Sequence, residues 1–182
     1  GLLRYTMNIG YTGPFSVSAR GLVPAMVSAG TASSGSSATF PVVVPAGATY
    51  ARFALFDADV AAGSDLDLVV RNPSGAVVGT GFNEGSQEEV SLVNPAAGIY
   101  TVEAQGYSVP AGTSPFSLHS WVLGSTSARN MLINAPSKVT AGDQISVTGL
   151  TLALRRGTKY LGSVVYSGGP NMPPPTIVRI DR

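Results

Sequence analysis

The chain has 182 residues, enough for one large β domain or two small ones. Charged residues make up only 12%, against roughly 25% in ordinary soluble domains, while 44% are hydrophobic, so both a disordered chain and a coiled coil are excluded. Eleven basic residues against ten acidic ones leave +1, which gives no electrostatic footprint for nucleic acid.

No stretch approaches 18 uninterrupted apolar residues, so no transmembrane segment is expected. Cysteine is absent, which removes disulfides, zinc–thiolate sites and thiol catalysis. Lysine occurs only at Lys138 and Lys159, and glycine and proline number 22 and 13. Together with abundant Ser and Thr, this composition suits a secreted, extracellular bacterial protein. The chain begins at Gly1 without an initiator Met, so it reads as a processed piece of something longer.

Short alternating runs broken by Gly, Pro, Asn and Ser recur from end to end, and no long window has helical periodicity. Strands are predicted in chain order at 3–9, 14–20, 39–44, 50–57, 66–71, 76–80, 88–93, 99–105, 115–123, 129–134, 143–149, 158–166 and 175–181. This spacing predicts an all-β fold. It would hold an antiparallel β-sandwich or jelly-roll-like domain plus a smaller immunoglobulin- or fibronectin-like β unit. Gly30–Ala38 and Gly124–Ala128 read as flexible linkers. They suggest a sandwich over 31–125 and a small unit over 126–182, completed by strands from 1–30. Asn72-Pro73-Ser74-Gly75 fits a type I turn between two antiparallel strands. Asn94-Pro95-Ala96-Ala97-Gly98 is expected to close a second hairpin. Pro173-Pro174-Pro175 reads as a stiff, extended loop ending at a strand.

The near-neutral total conceals a segregation. Residues 51–104 hold eight acids against Arg52 and Arg71, a net −6, while the remainder holds nine bases against two acids, a net +7. Such opposed charges fit two domains or two faces attracting one another. They also fit a calcium site. In Ser64-Asp65-Leu66-Asp67-Leu68-Val69-Val70, period two sends Leu66, Leu68 and Val70 to one face and Asp65 and Asp67 to the other. Asp57 and Asp59, across a short connection, would then converge with Asp65 and Asp67 on one Ca²⁺, which takes six to eight oxygens. The alternative is that Asp65 and Asp67 accept hydrogen bonds from loop amides.

His119 is the sole imidazole, and a Ser-His-Asp triad would have to use it. It lies in the alternating run Phe116–Trp121, and no Gly-x-Ser-x-Gly elbow is present, so it reads as a strand residue opposite Phe116 and Leu118. Most tyrosines sit among apolar neighbours, where packing is the default. Tyr107, in Gly106-Tyr107-Ser108-Val109-Pro110, reads as a loop residue and is the candidate substrate-binding aromatic.

Asp65-Leu66-Asp67-Leu68, then Asn72-Pro73-Ser74-Gly75, Glu88–Leu92 and Pro95-Ala96-Ala97-Gly98-Ile99-Tyr100-Thr101-Val102 together resemble the bacterial pre-peptidase C-terminal domain. Gly10–Gly13, Gly21–Ala25, Tyr160–Tyr166 and Thr176–Val178 extend the resemblance to the C-terminal region of secreted subtilisin-like serine proteases. The resemblance implies a β-sandwich over 31–125 and a non-catalytic tail, because none of the motifs carrying the catalytic Asp, His and Ser occurs here. It implies an N-terminal protease domain in the same polypeptide as partner, a role in stabilisation, maturation or protein-substrate binding, and in some relatives calcium. A stand-alone extracellular module binding glycan or protein is the alternative. A shell or fibre subunit and an independent hydrolase are more distant ones.

Overall fold

The computed structural model describes all 182 residues. Its strands are β1 (Leu2–Asn8), β2 (Gly13–Pro14), β3 (Ser16–Pro24), β4 (Met26–Ala32), β5 (Ser37–Val44), β6 (Tyr50–Ala54), β7 (Asp65–Arg71) and β8 (Val77–Gly81). They continue as β9 (Glu89–Val93), β10 (Gly98–Ser108), β11 (Ser114–Leu123), β12 (Met131–Asn134), β13 (Lys138–Val139), β14 (Gln144–Thr151), β15 (Lys159–Ser167) and β16 (Thr176–Asp181). The single helical element is a 3₁₀ turn, Asp57–Asp59. No helix is long and apolar enough to cross a membrane.

The strands fall into two compact units, one formed by Gly1–Pro24 with Ser125–Arg182, the other by Ala25–Gly124. The first unit interleaves the two ends of the chain. β14 lies between β1 and β12, β15 lies between β16 and β3, and β13 pairs with β2, all antiparallel. Its core gathers Phe15, Leu22, Met131, Ile145, Tyr160, Val164 and Tyr166. The buried Tyr166 and the half-buried Tyr5 solve their polar ends together: their hydroxyls are 2.6 Å apart, and Tyr166 reaches Thr176 Oγ1 at 2.5 Å. Burial, then the neighbouring Tyr166 hydroxyl, raises the Tyr5 pKa well above its ordinary value.

The second unit is an antiparallel sandwich of two four-stranded sheets, ordered β5-β10-β7-β8 and β4-β11-β6-β9. Alternation assigns the faces. Leu66, Leu68 and Val70 from β7, with Tyr100, Val102 and Ala104 from β10, turn inward to meet Phe53, Phe116 and Leu118 from the other sheet. The outward set on β7 and β10 is mostly polar, with Asp65, Asp67, Arg71, Thr101, Glu103 and Gln105 beside the apolar Val69 and Ile99.

The hairpin at Asn72–Gly75 forms as expected: Gly75 N donates to Asn72 O, and Asn72 Oδ1 accepts from the Ser74 and Ala76 amides. Asn94–Gly98 does not close a hairpin. β9 pairs with β6 and β10 pairs with β5 and β7, so this connection crosses from one sheet to the other. A turn signal marks where the chain reverses but not which neighbour it then finds.

The linker expected at 30–38 is partly strand. Met26–Ala32 is β4, paired with β11 over its whole length, and the Phe116 ring covers Gly30. The rest is a tight turn in which Ser36 Oγ donates to Ser33 O and accepts from Ser33 N. Residues 124–128 are also tied down, since Gly21 N donates to Thr126 O and Ala128 N to Gly21 O.

Candidate functional site

The site grows from the outward face of β7 and β10. Gln105 stands opposite Asp67 in the register. Beyond it the register slips: Gly106 faces Leu66, Ser108 faces Asp65, and Tyr107 is the extra residue of a β-bulge. Tyr107 is therefore part of a strand and not of a loop. The bulge leaves its ring 73% exposed beside the two aspartates. Glycine is required at 106, because a Cβ there would collide with the Ser33 carbonyl of the turn behind it. That turn is bonded in place, with Gly35 N donating to Gly106 O at 2.8 Å and Gly106 N to Ser36 O at 2.9 Å.

The opposite wall is the loop after β8, which carries Phe82, Asn83 and Glu84. Its anchor is Glu88, a carboxylate with no exposed surface. Glu88 Oε1 accepts from Asn83 N at 2.8 Å and Oε2 from Asn83 Nδ2 at 3.1 Å. Gly81 makes room for it, since a Cβ at that position would occupy the place of Oε2. A second buried clasp holds the loop to the base of β7: Ser86 Oγ donates to Ser64 O and accepts from Leu66 N, both at 3.0 Å.

Between these walls lies a cleft of about 400 Å³ lined by Asp65, Asp67 and Glu84, by the amides Asn83 and Gln105, and by the rings of Phe82 and Tyr107. Phe82 is 61% exposed. A smaller hollow of about 320 Å³ shares Asp67, Gln105 and Tyr107 with it and continues to Gly35–Ser37. Burial, and then the neighbouring Asp65, raise the Asp67 pKa. Burial also raises that of Glu88, opposed by the two Asn83 hydrogen bonds and reinforced by Asp67 and Asp65. Glu103, on the same face, is lowered by hydrogen bonds from Gln105 and Ser37 and by Arg71. Asp65 Oδ1 is out of water without a hydrogen-bond donor.

The four aspartates expected to share one cation are divided. Asp65 and Asp67 line the cleft. Asp57 Oδ1 instead accepts from Ser86 N at 2.7 Å, and Asp59 Oδ2 from His119 Nε2 at 2.9 Å. No three carboxylate or imidazole side chains come together in a metal-holding group. The sequence places Asp57 and Asp59 near Asp65 along the chain, but the 3₁₀ turn commits both to other partners. The loop-amide role foreseen for Asp65 and Asp67 belongs to Asp57.

His119 sits on β11 between the Phe56 ring, edge-on at 5.0 Å, and Trp121, stacked at 6.0 Å. It is 8% exposed, and its Nδ1 has no partner, so neither ring nitrogen bonds a serine hydroxyl. A cavity of about 550 Å³ belongs to the other unit and is bordered by Met7, Ile9, Phe15 and Met172. Its one titratable group, Tyr11, already donates to Pro14 O. Chemistry therefore concentrates in the acidic cleft.

Phe82, Asn83, Glu84 and Gln105 were not foreseen as site residues. Gln105 is readable in retrospect, because period two from Tyr107 returns to Gln105 and Glu103. Phe82 and Glu88 have no such signal, since a loop sets their positions.

No family model and no curated protein matches the chain. Among solved structures, the periplasmic inhibitor of g-type lysozyme from Aeromonas hydrophila, PliG, is similar over 54% of this chain and 86% of its own, at 16% identity and a TM-score of 0.38. The Bacillus licheniformis lipase BlEst2 in its propeptide form is similar over 86% of this chain, at 12% identity and a TM-score of 0.43. This chain spans 40% of the lipase's length.

Proposed function

We propose that the chain is a non-catalytic binding region of a larger secreted, extracellular subtilisin-like serine protease, and that the open face of the Ala25–Gly124 sandwich holds protein substrate for the protease domain. One observation carries the binding role. Two large aromatic rings, Phe82 and Tyr107, stand exposed on either side of a polar floor, on a rigid sheet and a doubly anchored loop. Exposed aromatics around a concave polar surface supply contact area at low entropic cost. The resemblance to protease tails supplies the context.

Adsorption tests this. The chain is expected to sediment with insoluble collagen and keratin, and Phe82→Ala with Tyr107→Ala is expected to weaken adsorption at least tenfold without changing the melting temperature. Adsorption to cellulose or chitin instead would favour a glycan-binding module. Adsorption to protein that ignores both substitutions would remove this face from the mechanism.

A further inference from the structure

We propose that the cleft takes cationic side chains, lysine or arginine presented by an extended protein segment, held between the Phe82 and Tyr107 rings over Asp65 and Asp67. This rests on the reading that the open face binds a ligand, and it names the ligand's chemistry.

The first argument is charge. The Ala25–Gly124 unit contains eight acids and no lysine. Its two arginines are engaged elsewhere. Arg52 bonds Glu89 at 2.9 Å, Ser91 and Tyr50, while Arg71 reaches Gly75 O and lies beside Glu103. Neither lines the cleft. The carboxylates there have no counter-charge within their own unit.

The second argument is the donor count. Asn83 Nδ2 is spent on Gln87 O and Glu88 Oε2, and Gln105 Nε2 donates to Glu103 Oε1. What lines the cleft is mostly acceptor: the carboxylates of Asp65, Asp67 and Glu84 and the amide oxygens of Asn83 and Gln105. A sugar needs donors and acceptors in similar measure. An ammonium or guanidinium group brings three or five donors and no acceptor. Exposed aromatic faces within the same cleft add cation–π attraction, worth ~0.5–2 kcal/mol. Calcium fits less well, because it asks for six to eight oxygens and the carboxylates are not grouped in threes.

The experiment uses the full chain and three fluorescent peptides of one length and backbone: a Lys/Arg-rich peptide, the same peptide with its lysines acetylated and arginines replaced by citrulline, and an acidic one. Anisotropy is read at 50 and 300 mM NaCl. The cationic peptide is expected to bind, more weakly at high salt, and neutralising it should cost at least tenfold. Asp65→Asn with Asp67→Asn should cost the same, with the melting temperature kept. If that pair fails to fold, Glu84→Gln alone should weaken binding several-fold. Equal binding of the neutralised peptide overturns the proposal, as does failure of all three peptides to bind. So does a calcium titration that displaces the cationic peptide at micromolar Ca²⁺. In any of these cases, Tyr107-sensitive adsorption to insoluble protein would leave the binding function standing.

Discussion

Glu88 offers the most demanding test of how the cleft is built. It has no exposed surface, yet it receives two hydrogen bonds from Asn83 and lies near Asp65 and Asp67. Replacing it by Ala leaves the Asn83 amide without its acceptor and opens a hole beneath Gly81. A part-buried donor deprived of its partner costs ~1–3 kcal/mol. Relief from burying a carboxylate offsets part of the loss, so Glu88→Ala should cost about 2 kcal/mol. For a unit of about 100 residues this lowers the melting temperature by about 8–16 °C.

Glu88→Gln separates shape from charge, because an amide can still bond Asn83 once the Asn83 side chain flips. Burial raises the Glu88 pKa, so the fold keeps this proton at pH values where the unfolded chain has released it. Stability contributed by this group therefore falls as pH rises above the ordinary carboxylate range. Wild type should be more stable near pH 5 than near pH 7.5, and Glu88→Gln should show a shallower slope. Asp67, raised in the same sense, should flatten it further in a double variant with Asp67→Asn. Urea unfolding read by fluorescence reports this unit, because its buried Trp121 is the only tryptophan in the chain. A Glu88→Ala variant within 0.5 kcal/mol of wild type at pH 7, or a Glu88→Gln variant with an unchanged slope, would refute the account.

Ser86→Ala removes the hydroxyl shared by both bonds of a buried clasp, leaving Leu66 N and Ser64 O without it, and should cost ~1–3 kcal/mol by the same fluorescence assay, loosening Phe82 and weakening adsorption along with stability. Asp59→Ala strips His119 of its only hydrogen bond and should destabilise by ~1–3 kcal/mol; a neutral outcome would mean that water reaches the ring. Tyr166→Phe breaks the hydroxyl chain from Tyr5 to Thr176 and should cost ~1–2 kcal/mol, measured by near-ultraviolet circular dichroism on thermal unfolding.

Most of the fold was legible because alternation and turn residues are local signals. Leu66, Leu68 and Val70 announce a half-buried strand, and Asn72–Gly75 announces its hairpin. β4 was hidden because Ser, Gly and Ala also make linkers, and only the Phe116 ring and the pairing with β11 turn that composition into structure. The site was half legible. Asp65, Asp67 and Tyr107 stand out by residue type, whereas Phe82 depends on a buried acid six residues further on. Asp57 and Asp59 misled because proximity along the chain says nothing of where a 3₁₀ turn aims its carboxylates.

The interleaving of the chain ends sets an order of assembly. All eight strands of the sandwich lie within Ala25–Gly124, so a ribosome can release that unit complete while the rest is still being made. β1, β2 and β3 must meanwhile wait with unpaired edges, because β14, β13 and β15 emerge after it. Loss of the last strand alone would leave β15 with an open edge on the side away from β3. The Ala25–Gly124 sandwich and the unit built from the chain ends thus have separate clocks, and truncation at either end removes strands of the slower one.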